Sequence, residues 1–405
     1  MAILLSRNLL LAAAVTFSLP CAAASSSFTT LYSFTGSVDG AGPRGLLYHR
    51  GALYGITHHL GSTACYGDGC GTMFEIDPAT GAETRLYTFQ GAPLDGAYDT
   101  SGLMSSGGIL YGTTSTGGKW NLGTVYTFDP ITRAETVIYS FRGAPRDGAN
   151  PAGTLIVHEG AVYGTTMSGG SKCAFPGCGT VFKINIQSGA EKIVYAFAGG
   201  FDGAAPAAGL IYHAGAFYGT TQGGDVASDF GTAFKIHFSP AGALETVLHS
   251  FTGGPDGAFP DANLLYRAGA VYGTTQGGDT VTDHGTVFKL AIDRAPSAET
   301  VLHRFQSGRD GALPEAGLSH IDGLLYGTTV LGGNATVDGD GYGTIYSVDM
   351  ATGAETVLHR FSDERGGRYP EAQLLLQDGK IFGTTFFGGV GCHGVGCGTV
   401  FAFSP

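Results

Sequence analysis

The string Tyr-Gly-Thr-Thr, or a close copy of it, returns seven times along the chain at intervals of about 54 residues. The copies begin at Tyr54, Tyr111, Tyr163, Tyr218, Tyr272, Tyr326 and Phe382. A repeat of this kind is one supersecondary unit that buries its apolar face only by packing against its neighbours. The repeat therefore limits the chain to architectures in which seven similar units stack regularly.

Two further strings recur with the same period. The first is an aromatic residue followed by an Asp-Gly turn, and it begins at Phe34, Phe89, Phe141, Phe197, Phe251, Phe305 and Phe361. The second is similar to Gly-Thr-Val-Phe, and it begins at Gly71, Gly123, Gly179, Gly231, Gly285, Gly343 and Gly398. Each unit thus contains several fixed points, and clusters of Gly, Asp and Pro separate them as turns separate strands.

Four short strand candidates fit into each unit. In the unit that follows Phe251 they are Asn263–Tyr266, Ala270–Thr275, Thr286–Ala291 and Glu299–Phe305. No segment shows a sustained helical period. Four strands per unit of this length are typical of a propeller blade, and the alternative is an open β-solenoid, whose repeats are usually shorter. We predict an all-β, seven-bladed β-propeller with four antiparallel strands per blade.

The two ends of the repeat array favour a closed ring over a solenoid. Phe28–Phe34 has the pattern of a fourth strand with no first three strands before it, and Gly398–Phe401 has the pattern of a third strand with no fourth after it. Together they complete one blade, and their pairing removes an exposed sheet edge. We predict that Phe28–Phe34 is the outer strand of blade 7 and that residues 25–405 form a single domain.

The repeat resembles that of the GloVer tandem-repeat proteins. Their pattern is Gly-Thr-Val-Phe, Glu-Thr-Val-Leu-Tyr-Ser-Phe, Asp-Gly, Pro, Leu-Tyr-Gly-Thr-Thr and Gly-Gly. Here one copy consists of Gly285–Phe288, Glu299–Phe305, Asp310-Gly311, Pro314, Tyr326–Thr329 and Gly332-Gly333. The resemblance covers residues 28–403. It implies export and a propeller-like repeat, and it implies no particular activity. Such proteins often carry C-terminal anchors, and we expect none here.

Composition excludes several other classes of protein. Glycine accounts for 69 of the 405 residues, but without the three-residue period of collagen. The 25 Phe and 19 Tyr residues are too many for a disordered chain. A helical bundle is disfavoured because glycine costs about 1 kcal/mol in a helix interior relative to alanine. The net charge of −12 argues against nucleic acid and anionic lipid as partners.

Residues 1–24 have the pattern of a secretory signal. Arg7 precedes an apolar stretch over residues 9–19, and small residues at Ala22–Ala24 offer a cleavage site before Ser25. The alternative is a buried N-terminal strand or helix. The apolar stretch is shorter than a membrane span. We expect a secreted or periplasmic protein that is soluble after cleavage.

Six cysteines remain after removal of Cys21, and they form three local pairs with four residues between the partners. The pairs are Cys65/Cys70, Cys173/Cys178 and Cys392/Cys397. In an oxidising compartment this arrangement predicts three disulfides. The spacing also falls within the zinc range, but each pair stands alone in its own repeat. We therefore expect neither a metal centre nor a cofactor at the cysteines.

Some polar residues are repeated in nearly every blade. An Asp precedes the turn glycine at Asp39, Asp95, Asp147, Asp202, Asp256 and Asp310, and Gly366 takes its place in blade 7. We interpret the Asp as a turn residue that accepts hydrogen bonds from its own backbone, the alternative being a ring of cation-binding carboxylates. The repeated threonines predict strand residues whose hydroxyls pair between strands, the alternative being the lining of a ligand channel.

Function is expected where the repeats differ. The residue after the repeated proline position is Arg44, Thr100, Ala152, Ala207, Asp261, Glu315 and Glu371 in blades 1 to 7. Three consecutive blades thus present carboxylates toward one face, and the nearby Asn263 and Gln373 add amides. Paired carboxylates cleave glycosides when one has a raised pKa, so Asp261, Glu315 and Glu371 are the catalytic candidates. The alternative is a solvated acidic rim.

The position after Tyr-Gly-Thr-Thr also varies. It is His58, Ser115, Met167, Gln222, Gln276, Val330 and Phe386. His58, Gln222, Gln276 and Phe386, together with the single tryptophan Trp120, are candidate ligand contacts, the alternative being packing residues. The longest loops of blades 4 to 6 are acidic and leave calcium binding open: Asp225, Asp229, Asp279, Asp283, Asp338 and Asp340.

Two functions from different classes remain. No Gly-x-Ser-x-Gly, phosphate loop, dinucleotide fingerprint or His-Glu-x-x-His motif occurs. The first hypothesis is an exported, monomeric, non-catalytic binding or scaffold propeller whose partner is a polysaccharide or a cell-surface protein. The second is a glycosidase or polysaccharide lyase that uses the carboxylates of blades 5 to 7.

Overall fold

The computed structural model describes residues 26–99, 101–223, 230–239, 242–277, 283–293, 297–334, 341–362, 366–392 and 395–405. These residues form seven small antiparallel sheets, and in each sheet the strands are hydrogen-bonded in the order in which they run from the ring axis to the rim. The seven sheets are the blades of a β-propeller, which confirms the predicted fold class.

Blades 1 to 4 consist of the following strands, given from first to fourth. Blade 1 has Ala41–His49, Ala52–His59, Thr72–Ile76 and Glu83–Thr88; blade 2 has Gly96–Asp99 with Met104–Ser106, Ile109–Gly117, Thr124–Asp129 and Ala134–Ser140; blade 3 has Gly148–His158, Ala161–Gly169, Thr180–Asn185 and Glu191–Ala196; blade 4 has Ile211–His213, Ala216–Thr221, Thr232–Ser239 and Gly242–Ser250. Two short 3-10 helices, Cys65–Gly67 and Gly200–Asp202, lie in loops.

Blades 5 to 7 complete the ring. Blade 5 has Leu265–Arg267, Ala270–Thr275, Thr286–Ala291 and Glu299–Arg304; blade 6 has Ser319–Ile321, Leu324–Thr329, Thr344–Asp349 and Glu355–Arg360; blade 7 has Leu375–Gln377, Lys380–Thr385, Thr399–Ser404 and Ser27–Ser33. The first strand of blade 5 is shorter than predicted, and in blade 2 the first strand is broken into two pieces. Both departures fall on the innermost strand of the blade.

The ring closes where the two ends of the array meet. Ser27–Ser33 pairs antiparallel with Thr399–Ser404, with Phe28 opposite Phe403 and Ser33 opposite Thr399. The third strand of blade 7 would otherwise end the sheet with unpaired N–H and C=O groups, which invite association with other chains. The predicted closure by the N-terminal strand is therefore consistent with the observed pairing.

An aromatic contact joins every blade to the next. The aromatic ring that ends each fourth strand packs against the ring of the third strand of the following blade, with centroids 5.0–5.6 Å apart and steep interplanar angles. The seven pairs are Phe34/Phe74, Phe89/Tyr126, Phe141/Phe182, Phe197/Phe234, Phe251/Phe288, Phe305/Tyr346 and Phe361/Phe401. Edge-to-face pairs contribute about 0.5–1.5 kcal/mol beyond the area that they bury.

The glycine of Tyr-Gly-Thr-Thr makes room for this aromatic layer. A Cβ atom on Gly273 would lie 2.6 Å from Cζ of Phe288, which no real side chain tolerates. The glycine that opens Gly-Thr-Val-Phe is constrained differently: Gly285 has φ +91°, and a Cβ there would lie 2.5 Å from Cδ of Pro314 in the next blade. The repeated glycines and prolines are therefore set by contacts between strands and blades.

Each blade also contains one buried threonine pair. The last Thr of Tyr-Gly-Thr-Thr and the Thr of Gly-Thr-Val-Phe have their Oγ1 atoms 2.7–2.9 Å apart in all seven blades. The pairs are Thr57/Thr72, Thr114/Thr124, Thr166/Thr180, Thr221/Thr232, Thr275/Thr286, Thr329/Thr344 and Thr385/Thr399. This confirms the interpretation of the threonines as residues that pair between strands.

The repeated Asp accepts hydrogen bonds from its own turn, as predicted. Asp147 receives the backbone N–H of Arg142 (2.8 Å) and of Gly148 (2.7 Å), and its carboxylate also receives the hydroxyl of Tyr139 (2.8 Å). The tyrosine contact was not foreseen. It ties the turn to the outer strand from which the chain has just emerged.

All three predicted disulfides form: Cys65–Cys70, Cys173–Cys178 and Cys392–Cys397. Each closes the loop between the second and third strands of its blade, in blades 1, 3 and 7. Disulfides persist in oxidising compartments, so they indicate an extracellular or periplasmic protein. The predicted signal at residues 1–24 lies outside the described residues. In the described part of the chain, no helix has the length and apolar character needed to cross a membrane.

Truncation of one ring of the aromatic layer is expected to cost much of the stability. Phe141 is completely buried and its ring lies 5.1 Å from that of Phe182. Phe141→Ala should lower the free energy of unfolding by about 3–5 kcal/mol through lost contacts and the cavity left behind. Ile131→Ala, at a side chain that is 71% exposed, is the control and should change it by less than about 0.5 kcal/mol. Denaturant unfolding followed by circular dichroism measures both, and equal losses would contradict the prediction.

Candidate functional site

A cavity of about 710 Å³ runs along the axis of the ring. Its wall is built mainly from the first strands of the blades and the residues that precede them, with Ser115, Met167 and Gln222 added from the second strands of blades 2 to 4 or the residue after them. Every blade thus contributes at least one residue. We call this cavity the channel. Its volume is that of a site for a small molecule rather than for a macromolecule.

The variable position after the repeated proline lies in the wall of the channel. Its described members there are Arg44, Ala152, Ala207, Asp261, Glu315 and Glu371, whereas Thr100 lies outside the described residues. At this position blades 5 to 7 contribute three carboxylates, blade 1 an arginine, and blades 3 and 4 only methyl groups. The charged groups at this position therefore lie on one side of the channel, and the two alanines lie on the other. We call Asp261, Glu315 and Glu371 the channel carboxylates.

Asp261 is the most perturbed of the three. Burial, reinforced by the neighbouring charge of Glu315, raises its pKa to about 7. Its Oδ1 atom is buried and accepts no hydrogen bond from the described residues. A buried acceptor without a donor is costly when the carboxyl group is ionised, so the environment of this oxygen favours the neutral form. The oxygen therefore readily takes up a proton.

Glu371 is paired with Arg44 across the joint between blades 7 and 1. The distance from Oε2 to Nη2 is 2.9 Å, and both side chains keep some exposure. Burial nonetheless raises the pKa of Glu371, because the opposing effect of Arg44 is smaller. The guanidinium also lies over the ring of Phe386, 4.9 Å from its centroid. Ion pairing and cation–π contact together fix the position of Arg44.

Glu315 is held by an amide. Nε2 of Gln276, a side chain from the neighbouring blade, donates to Oε1 of Glu315 at 2.5 Å. Gln222, at the equivalent position one blade earlier, lines the channel, whereas Gln276 is not among the residues of its wall. Of these two predicted ligand residues, one therefore lies in the wall and the other contacts the wall residue Glu315.

Two other predicted ligand residues line the channel but are engaged in the scaffold. The amide of Asn263 accepts from the backbone N–H of Gly209 (2.6 Å) and donates to Thr154 Oγ1 (3.2 Å). Nε2 of Gln373 donates to the carbonyl oxygen of Leu318 (2.9 Å). These amides connect the first strands of neighbouring blades, and a ligand would have to compete for them.

His58, Phe386 and Trp120 are not among the residues of the channel wall. His58 is buried, and burial together with Arg44 lowers its pKa to about 4, so the imidazole is neutral. Its Nδ1 donates to the carbonyl oxygen of Asp99 at 3.1 Å. Phe386 packs behind Arg44. Trp120 is half exposed in the loop between the second and third strands of blade 2, where Lys119 lies 5.1 Å from its ring.

The sequence reasoning missed Asp99. It stands in blade 2 where the other blades have proline, and only 1% of it is exposed. Oδ2 receives the hydroxyl of Tyr126 (2.7 Å), and Oδ1 receives the backbone N–H of Ser101 (2.9 Å). Burial raises the pKa of Asp99 to about 7 despite these bonds. A signal was present: Tyr126 also departs from the repeat, in which most blades have Phe.

The closest cluster of described His, Asp and Glu side chains lies outside the channel. In the described ranges, one group of three has its donor atoms within 4.8 Å of one another: His303, Asp310 and Glu355, at the outer part of blades 5 and 6. The channel carboxylates do not form such a group. Of the acidic loop residues only Asp283 is described, and it is buried, with its Oδ1 accepting the N–H of Gly285 (3.2 Å). Asp225, Asp229, Asp279, Asp338 and Asp340 lie outside the described residues.

The fold and the repeat define the class of this protein: it is a seven-bladed propeller assembled from one tandem repeat. Over residues 17–176 and 174–401 it matches the Gloeobacter/Verrucomicrobia repeat, and it belongs to that family. This confirms the resemblance read from the sequence. Among curated proteins none matches the chain.

Solved structures with the same fold are distant in sequence. An oligogalacturonate lyase from Vibrio parahaemolyticus is 13% identical with a TM-score of 0.56, and 95% of this chain covers 94% of it. The extracellular domain of a putative one component system from B. thetaiotaomicron is 9% identical with a TM-score of 0.57, covering 92% of this chain and 39% of that one. A putative 6-phosphogluconolactonase from Bacteroides uniformis is 13% identical with a TM-score of 0.51, covering 82% and 89%. At these identities the likeness shows the fold alone.

Two tyrosines at one repeat position should respond oppositely to loss of their hydroxyl. Tyr126 donates to Asp99, whereas the hydroxyl of Tyr346 is buried without a partner among the described residues. Tyr126→Phe should lower the free energy of unfolding by about 1–3 kcal/mol, because it leaves a buried carboxyl group short of one donor. Tyr346→Phe removes an unsatisfied group and should be neutral or stabilising. Parallel denaturant titrations test this, and a comparable loss in both variants would contradict it.

Proposed function

We propose that this chain is an exported, non-catalytic binding propeller that takes an uncharged saccharide, or the end of an oligosaccharide, into its channel. One observation carries the proposal: the departures from the repeat at one position converge on a single cavity, where three carboxylates, an arginine and the amide of Gln222 meet. Everything that is repeated serves the scaffold, and this cavity is where the blades differ chemically.

The groups in the channel suit a ligand rich in hydroxyls. Carboxylates accept hydrogen bonds from sugar hydroxyls, with up to four acceptor directions each, and charge-assisted bonds of this kind are the stronger ones. Asp261, Glu315 and Glu371 all line the channel, so their carboxyl groups can meet the hydroxyls of a ligand there. Gln222 supplies an amide that can both donate and accept. The methyl side of the channel, at Ala152 and Ala207, accommodates the apolar face of a ring.

The charge of the channel selects against acidic sugars. Three carboxylates stand against Arg44, whose guanidinium is already paired with Glu371. An anionic ligand would meet net negative charge in a partly desolvated site, and like charges there are costly. An oligogalacturonate, which the name of the Vibrio enzyme gives as its substrate, is polyanionic and therefore does not suit this channel. A neutral hexose unit carries no charge and suits it.

A glycosidase is the second candidate, and Asp261 favours it. A carboxyl group with a pKa near 7 beside Glu315 has the acid half of the pair that glycoside hydrolysis uses. Binding is preferred because the other two carboxylates are already held, Glu315 by Gln276 and Glu371 by Arg44. A nucleophile or base for hydrolysis would have to leave such a contact.

The deciding experiment is a binding and turnover screen of residues 25–405. Neutral and acidic glycans are compared on an array, the best ligand is titrated by calorimetry, and release of reducing ends is followed over hours. Glu315→Gln should weaken binding of the neutral ligand about ten- to hundredfold, because one charge-assisted acceptor is lost. Glu159→Gln, at an exposed glutamate with 81% side-chain accessibility on blade 3, is the matched control and should bind as the wild type does.

Three results would overturn the proposal in different ways. Release of product that Glu315→Gln abolishes would establish the glycosidase instead. Preference for acidic glycans would contradict the charge argument. Absence of binding to every glycan, with a folded protein, would leave a protein partner as the function of the channel face.

Binding is expected to depend on pH through Asp261. Its pKa of about 7 in the free protein means that the side chain ionises as the pH rises through neutrality. Since the ionised form is the better acceptor of ligand hydroxyls, affinity should rise between about pH 6 and about pH 8. Asp261→Asn should flatten that profile. Affinity that falls over the same interval in the wild type would show that Asp261 donates a proton to the ligand instead.

A further inference from the structure

A pair of carboxyl groups lies between neighbouring blades at six of the seven interfaces. The aspartate comes from the turn after the fourth strand of one blade, and the glutamate comes from near the start of the fourth strand of the next. The pairs are Asp39/Glu83, Asp95/Glu135, Asp147/Glu191, Asp202/Glu245, Asp256/Glu299 and Asp310/Glu355. Neither the channel nor the aromatic layer uses these groups.

A third side chain contacts the aspartate of each pair: it is a tyrosine at four interfaces and a histidine, His249 or His303, at the other two. Between blades 1 and 2 it lies near both carboxyl groups: the hydroxyl of Tyr87 lies 3.0 Å from Oδ2 of Asp95 and 3.5 Å from Oε2 of Glu135. A tyrosine has one proton to donate, and the shorter contact assigns it to Asp95. The contact with Glu135 is then attractive only if the glutamate itself carries a proton and donates it to the tyrosine oxygen. The geometry thus describes a chain from a protonated Glu through Tyr to an ionised Asp.

The remaining oxygen of each glutamate leads to the same conclusion. Oε1 is buried and has no hydrogen-bond partner among the described residues in all six: Glu83, Glu135, Glu191, Glu245, Glu299 and Glu355. An ionised carboxylate in that position would lose its hydration without compensation, whereas a neutral carboxyl group loses far less. Six independent copies of one feature exclude an accident of a single side chain.

The seventh interface shows that the two acids belong together. Between blades 6 and 7 the aspartate position is Gly366, and the glutamate position is Phe28. His359, at the position of the joining tyrosine, stacks on Phe28 with ring centroids 4.1 Å apart. Where one acid is missing the other is missing too, and an apolar contact takes their place. Unrelated surface acids have no reason to disappear as a pair.

Other charged groups do not outweigh this arrangement. The groups that act on the glutamates besides the paired Asp are Tyr87 and Tyr139, the cations Arg85, Arg142, Lys172 and Arg360, and His303. Tyr32 faces Glu83, Tyr195 faces Glu245, and His249 contacts Asp256. Burial first, and the paired Asp second, raise the pKa of each of the six glutamates to about 7.

We propose that a proton on each of the six glutamates stabilises the contact between neighbouring blades. In the closed ring each glutamate is protonated, and its ionisation weakens that contact. The folded ring then holds protons that the unfolded chain, with ordinary glutamates, releases above about pH 4.5. Stability from these groups is present at low pH and is lost as the pH rises through about 7. The ring is therefore most stable in a mildly acidic medium, and alkaline pH loosens all six joints together.

The test is unfolding of residues 25–405 in guanidinium at about pH 5.5 and about pH 8.5. The unfolding equilibrium constant should rise at least about tenfold at the higher pH, a discounted figure for six partly exposed groups. In the triple variant Glu83→Gln, Glu191→Gln, Glu299→Gln, the logarithm of the unfolding equilibrium constant should change by about half as much between the two pH values, because three of the six titrating groups are gone. Glutamine keeps the shape of a neutral carboxyl group, so the contact between blades is retained. Glu159→Gln, the exposed control, should keep the full change.

The seventh interface supplies a gain-of-function control. Phe28→Glu combined with Gly366→Asp installs a seventh pair and should steepen the pH dependence. Should that variant or the triple variant fail to fold, the infrared difference between the wild type and the single variant Glu135→Gln decides, because it cancels the signals of Asp99 and Asp261, whose pKa values also lie at about 7: the carbonyl stretch of a protonated Glu135 should be present at about pH 6 and vanish by about pH 8.5. Its absence at the lower pH, or a pH-independent unfolding constant, would overturn the proposal. So would stabilisation by calcium or zinc that a chelator reverses, since the pairs would then be cation sites.

Discussion

The edge-to-face contact between consecutive blades is the interaction on which the rest of this structure depends. A four-stranded antiparallel sheet cannot bury both of its faces alone. In this protein one aromatic ring of each blade packs against the next blade and helps to bury the facing surfaces. Because the donor ring ends a fourth strand and the acceptor ring lies on the next third strand, every contact also fixes the angle between two blades. Seven such contacts join the blades into a ring, and the first strands lie around its axis. The aromatic contacts thus orient the blades so that their first strands enclose the channel.

Polar groups of the scaffold fall into two classes. The threonine pairs and the turn aspartates have their counterparts on the same blade or the next, whereas the six glutamates between blades each keep one buried oxygen without a partner among the described residues. In the channel, Asp261 also retains an unpaired oxygen. Blade 2 departs from the repeat at two positions at once: Asp99 and Tyr126 replace proline and phenylalanine together, and the first strand is broken just beyond Asp99. The pair behaves as one substitution, since either residue alone would leave a buried polar group unsatisfied.

Much of this could be predicted from the sequence because the repeat converts position along the chain into position in space. The period, the closing strand, the disulfides and the convergence of Asp261, Glu315 and Glu371 on one wall all follow from aligning seven copies. Side-chain direction does not follow, which is why Trp120 lies away from the channel and Asn263 and Gln373 are bound within the scaffold. The carboxyl pairs were missed for another reason. Their members stand in different repeats, so no comparison within one repeat brings them together.

The joint between Ser27–Ser33 and Thr399–Ser404 has a kinetic consequence. Its two strands are the first and the last that the structure describes along the chain, so this pairing has the longest sequence separation, and therefore the largest loop-closure cost, of the described strand pairings. Until it forms, the third strand of blade 7 presents an open edge that any extended segment can occupy. Closure of blade 7 is therefore expected to be the slowest folding step. Until it occurs, the open edge of that blade is exposed to association with other segments. A second copy of the chain could supply the closing strand as well as the first, which makes domain swapping at blade 7 the natural way for this propeller to misassemble.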